Sequence, residues 1–138
     1  MNVESREALK QRLRALLEAR PEIQFAYLHG SFAEEGLPYH DVDVALYLEP
    51  AQAAVLDLFD YAMELSTDLT LQLHVPVDVQ VLNEAPLDFQ HSVFQGELLF
   101  ARDEEALMDL LEQVAWEFMQ FEHHWRESLR DLLLWDTQ

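Results

Sequence analysis

The chain has 138 residues, half of them hydrophobic, with 27 Asp and Glu against 8 Lys and Arg and a formal net charge of -19. That length suits one domain with a sizeable core, spanning residues 1–138, and leaves little room for a second. The charge argues against a mainly electrostatic hold on nucleic acid or an anionic membrane and favours a cationic partner or bound metal, while the absence of cysteine excludes disulfides, Cys-ligated zinc and a thiol nucleophile.

The start, Met1 to Arg6, lacks the basic and apolar runs of a signal peptide, and no stretch approaches the roughly 18 apolar residues of a membrane span. A cytoplasmic protein is expected. Leu9, Leu13, Leu16 and Leu17 recur at helical spacing within residues 3–19, and Pro21 stops that helix. Ile23 to Leu28 is a short apolar run that reads as a buried strand, closed by a tight turn at His29-Gly30-Ser31. After a polar loop with Gly36 and Pro38, Asp41 to Leu48 reads as a strand. Its alternation puts Asp41 and Asp43 on one face and Val42 and Val44 on the other.

Pro50 suits a first helical turn, and the apolar positions from Val55 onward carry that helix to about Leu69. Val75 to Leu82 is β-branched and alternating, a strand with Pro76 at its start or on an edge. A short helix from Leu87 to Phe94, a turn at Gly96, a strand from Glu97 to Ala101 and a long helix capped by Asp103 complete the chain. This order implies a small α/β (α+β) layer structure, one mixed sheet with helices packed on it.

The placement of charge narrows the chemistry. Lysine and arginine are absent from all 81 residues between Pro21 and Ala101, where 14 acids lie. Asp41 and Asp43 leave one face of one strand, and Asp78 is the acid of the next strand in sequence. If those strands are neighbours, three carboxylates converge, and a divalent cation is the natural remedy for their repulsion. Oxygen ligands without cysteine point to Mg²⁺ or Mn²⁺. Upstream, Gly30 allows close approach of backbone to a ligand, and the Ser31 hydroxyl with free backbone N–H groups suits a phosphate.

Taken together, Tyr27-Leu28-His29-Gly30-Ser31-Phe32-Ala33, then Asp41-Val42-Asp43-Val44, then Val77-Asp78-Val79 resemble the signature of the DNA polymerase beta type nucleotidyltransferase superfamily. The chain is similar nearly end to end to its minimal members, the MNT antitoxins paired with HEPN toxins. The resemblance implies the polymerase beta-like nucleotidyltransferase fold. It implies that Gly30 and Ser31 hold phosphate, that Asp41 and Asp43 bind two Mg²⁺ ions, and that Asp78 completes the metal-binding catalytic site and activates the attacking hydroxyl. The implied reaction is transfer of AMP from ATP to a tyrosine hydroxyl of a HEPN ribonuclease toxin, which is thereby silenced.

The family pattern Gly-Ser-x-Ala-Arg-Gly has a basic residue where this chain has Glu34-Glu35-Gly36. Three carboxylates, two Mg²⁺ and ATP sum to about -3, so a further cation is needed nearby. The candidates are Arg102, Arg126 and Arg130, protonated His29 or His40, or a partner's side chain. Two other readings stand beside the enzyme: a degenerate fold that neutralises a basic toxin by binding alone, and nucleotide transfer to a small molecule. The second needs a substrate domain for which 138 residues leave little room. Phe118, Phe121 and Trp125 read as core, while the stripe's continuation towards Trp135 outruns so small a sheet and suggests a docking face. His123 and His124 diverge on their helix and face solvent or a partner.

Overall fold

The computed structural model describes residues 5–33 and 41–135. Helix α1 (Arg6–Glu18) begins at Ser5, whose side chain accepts from the Ala8 N–H, and buries Leu9, Leu13 and Leu17. Strand β1 (Ile23–His29) follows and runs into a 3₁₀ turn, Gly30–Ala33. Then come β2 (Val42–Leu48), α2 (Pro50–Ala53), α3 (Leu58–Leu73), β3 (Val77–Val81), α4 (Leu87–Val93), β4 (Glu97–Ala101) and α5 (Glu104–Trp135).

The sheet order is β3-β2-β1-β4, with β2 and β3 parallel and the other pairs antiparallel. One face carries Ile23, Leu28, Val42, Val44, Leu46 and Val79, and it packs on α1 and α3 through Leu13, Leu17, Leu65 and Leu69. The other face carries Phe25, Tyr27 and Ala45 and packs on α4 and α5 through Val93 and Leu107. The expected mixed sheet with helices packed on it is thus present, and the helices cover both of its faces.

The edge strand β3 is protected from the α3 side. The Val77 N–H donates to Thr70 Oγ1 at 3.0 Å, and the Val79 N–H donates to Ser66 Oγ at 2.9 Å. Two hydroxyl side chains of α3 thereby quench N–H groups of an edge strand that could otherwise pair with another chain.

Two expectations change. The single helix from Pro50 to Leu69 is broken into α2 and α3, because Asp57 caps a new helix by accepting from the Asp60 N–H, leaving Val55 and Leu56 exposed. The aromatic stripe of α5 leaves the core early. Leu107 and Val114 are buried, but Phe121 is 57% and Trp125 56% exposed. No helix among the described residues is long and apolar enough to cross a membrane.

Candidate functional site

Residues that face one another across the sheet share a face, and the register sets one row at the end of the sheet. His29 on β1 pairs with Asp43 on β2, and Asp43 pairs with Asp78 on β3. Because Val42, Val44, Val77 and Val79 turn to the α1/α3 side, Asp43 and Asp78 point to the α4/α5 side, with Gln80 two residues on. Asp41 lies immediately before β2.

Asp43 is the electrostatic centre of the row. Partial burial pushes its carboxyl above the usual carboxylate range, the negative charge of Asp41 pushes the same way, His29 pulls it back and Asp78 adds a smaller push. A group strained in this sense is a fitting ligand for a cation. Asp78 is half turned away, for its Oδ2 accepts from Gln80 Nε2. The Gln80 Oε1 in turn lies 2.8 Å from His29 Nε2. An amide oxygen only accepts, so His29 donates there, and Phe89 of α4 packs edge-on against its ring. Gln80 escaped sequence reasoning, although its spacing of two from Asp78 on a strand was signal enough.

The three carboxylates are brought to one end of the sheet without closing on a point: among the described residues, no three His, Asp or Glu side chains are grouped to hold one ion. Repulsion and the Gln80 amide account for the splaying. The donor set, all hard oxygen, still fits Mg²⁺.

Gly30 is indispensable to this geometry. Its φ is +70°, and a Cβ there would stand 2.5 Å from Asp43 Oδ2. With Ser31 it lines a cavity of about 650 Å³ bounded also by His29, Ser92, Gly96 and Glu97. Gly96 matters for the same reason, since a Cβ on it would meet the Leu28 carbonyl oxygen at 2.1 Å.

The sources of positive charge need correction. Arg102 donates to the Ile23 carbonyl at 2.6 Å, to the Arg20 carbonyl at 2.9 Å and to the Glu18 carbonyl, with Phe100 under its guanidinium. Those carbonyls lie at the start of β1, about 20 Å from its His29 end. Arg102 therefore caps α1 and does not serve this site. Arg126 and Arg130 are exposed on α5. His123 and His124 are exposed as expected, and His123 lies 3.6 Å from Glu127. His40, Glu34, Glu35 and Gly36 lie outside the described residues.

The sequence profile of the family described as polymerase beta, nucleotidyltransferase matches residues 11–105. Among solved structures, the chain is similar to one in the structure of a tri-AMPylated Shewanella oneidensis HEPN toxin in complex with MNT antitoxin. That match has a TM-score of 0.70 and 20% identity, covering 94% of this chain and 99% of the other. A toxin-antitoxin structure with AMP-PNP matches with a TM-score of 0.70 and 20% identity, over 90% of this chain and 98% of the other. The toxin-antitoxin MntA-HepT structure matches with a TM-score of 0.68 and 19% identity, over 92% and 98%. No curated protein matches the chain.

Proposed function

The chain belongs to the polymerase beta nucleotidyltransferase family, and from that membership we propose that it transfers AMP from ATP to a tyrosine hydroxyl of a HEPN ribonuclease toxin, acting as the cytoplasmic antitoxin that silences it. The observation that carries the reading is the row Asp43-Asp78 in register, with the cavity-lining Gly30 so close to the Asp43 carboxylate that no side chain fits between them. The folds it resembles come from structures of an AMPylated HEPN toxin with MNT antitoxin and of a toxin-antitoxin complex with AMP-PNP.

In this reading the backbone of Gly30 and Ser31 and the Ser31 hydroxyl hold the phosphate chain. Asp41, Asp43 and Asp78 would hold two Mg²⁺ ions, which would supply charge neutralisation at phosphorus and a lowered pKa for the acceptor hydroxyl. Asp78, freed from Gln80, takes the proton of that hydroxyl. The acceptor oxygen bonds to the α-phosphorus, the bond to the bridging oxygen breaks, and pyrophosphate leaves in line. The exposed apolar stripe of α5, through Phe121, Trp125, Leu129 and Leu132, offers a face for the protein substrate.

A second reading has its own support. The net charge of -19 and the same apolar face suit neutralisation of a basic toxin by binding alone. Incubation of the purified protein with the toxin, ATP and Mg²⁺ separates the two. Whole-AMP mass gains on the toxin that vanish with Asp41→Ala or Asp43→Ala support transfer. Toxin silenced without ATP, or by the Asp78→Asn variant with no added mass, supports binding alone.

A further inference from the structure

The proposed site is anionic and stands in a segment without lysine or arginine, so the charge that meets a triphosphate must come from another element. We propose that Arg6, in the first turn of α1, is the phosphate-binding cation of the nucleotide held at Gly30-Ser31. This inference rests on the nucleotide-transfer reading above.

Helix α1 and strand β1 run back along one another, so the start of the helix returns to the sheet end that carries Gly30 and Ser31. Two contacts fix that placement. The Arg6 guanidinium carbon lies 4.8 Å from the centre of the Phe32 ring, and Phe32, fully buried, stands between Ser31 and Ala33, both of which line the cavity. One turn on, on the same face of the helix, Lys10 donates to Glu97 Oε1 at 2.7 Å, and Glu97 lines the same cavity.

The two cations differ in what they already hold. Lys10 is committed to Glu97 and lies 3.5 Å from Glu7. Arg6 has its Nε and Nη2 atoms buried with no hydrogen-bond partner among the described residues. Buried guanidinium N–H groups without acceptors are costly and call for a missing one. Helix stability does not explain the residue either, since a cation in a first turn opposes the helix dipole. A phosphate oxygen is the acceptor best matched to the planar guanidinium fork, and the Phe32 ring under that fork belongs to the residue that directly follows Ser31.

The test compares Mg²⁺·ATP with adenosine in equilibrium titrations of the whole protein carrying Arg6→Met, which keeps the aliphatic stem on Phe32, and Arg6→Lys, which keeps the charge. The expected result is a loss of Mg²⁺·ATP affinity of about 10- to 100-fold for Arg6→Met, partial recovery in Arg6→Lys and unchanged adenosine binding. Equal Mg²⁺·ATP affinity in wild type and Arg6→Met overturns the inference while leaving the nucleotide-transfer reading intact. Failure of the wild-type protein to bind Mg²⁺·ATP overturns both. If Arg6→Met does not fold, Arg6→Gln takes its place: weaker Mg²⁺·ATP binding with unchanged adenosine binding supports the role, and wild-type Mg²⁺·ATP affinity overturns it.

Discussion

Replacing Arg102 by methionine tests whether the arginine nearest the start of α5 is a structural clamp or a reserve cation. Three carbonyls lose a charged donor: Ile23 at 2.6 Å, Arg20 at 2.9 Å and Glu18. The Glu18 and Arg20 carbonyls lie at an exposed corner and regain water, so each loss is a few tenths of a kcal/mol. The Ile23 carbonyl is partly buried, and a hydrogen bond to a charged group is worth about 1.5–3 kcal/mol. The sum is about 2–4 kcal/mol, or a fall in Tm of about 6–12 °C for a chain of this length. Arg102→Lys, a point charge that cannot fork to three acceptors, recovers about half of that. Thermal unfolding followed by circular dichroism reads the first quantity, and a parallel Mg²⁺·ATP titration is expected to be flat across all three proteins. An unchanged Tm together with weakened Mg²⁺·ATP binding in Arg102→Met would refute the clamp and return Arg102 to the triphosphate.

Gly30→Ala is expected to lower stability by about 1–2 kcal/mol, the cost of a side chain in the left-handed region, and to reduce AMP transfer about 100-fold by displacing the Asp43 carboxylate; wild-type transfer by this variant refutes the role of the close approach. Asp43→Asn removes a carboxyl that burial and Asp41 already disfavour as an anion. Its Tm at pH 7 without Mg²⁺ is expected to rise while AMP transfer is lost, and a lowered Tm contradicts the assignment of strain. Tyr61 donates to Glu22 Oε2 at 2.7 Å, and burial, then that carboxylate, push its phenol well above the usual range. A raised folded pKa gives stability that is full below about pH 10 and lost as the pH climbs beyond it, so Tyr61→Phe is expected to cost about 1 kcal/mol at pH 7 and to flatten the alkaline decline in urea titrations; a decline of wild-type steepness in the variant points to another group. Phe121→Glu combined with Trp125→Glu is expected to change stability by no more than about 0.5 kcal/mol, both sites being exposed, yet to abolish a toxin complex on gel filtration; a retained complex moves the docking face elsewhere.

The strands were legible because each is short and apolar, with β2 and β3 alternating as well, and the valines of those two announce which way the aspartates point. Register was the step that sequence could only state conditionally: that Asp43 meets Asp78 depends on β2 and β3 being parallel neighbours, a property of the whole sheet. The break between α2 and α3 was hidden because Val55 and Leu58 keep the apolar rhythm across it, while Asp57 cuts the backbone by capping a new helix. Periodicity was equally blind to the exposure of α5. Phe118, Phe121 and Trp125 have the spacing of a buried seam, and only the length of the sheet beneath decides where burial stops.

The charge pattern shows the same division between local and global information. The stretch free of lysine and arginine is plain in the sequence, and so is the need for a cation from outside it. Which cation answers depends on which end of the sheet each one reaches. Arg102 follows β4, whose Ala101 end pairs with Phe25 near the start of β1, so it is drawn to the carbonyls of Glu18, Arg20 and Ile23. Arg6 and Lys10 precede β1 by one antiparallel helix and so arrive at the opposite end, beside Phe32 and Glu97. A chain that places acids where phosphate must sit and reverses direction after α1 can lend that site a guanidinium from its own first helical turn. That is the physical content of the Arg6 proposal, and it explains how a Gly-Ser turn followed by Glu34 and Glu35 could still hold a triphosphate.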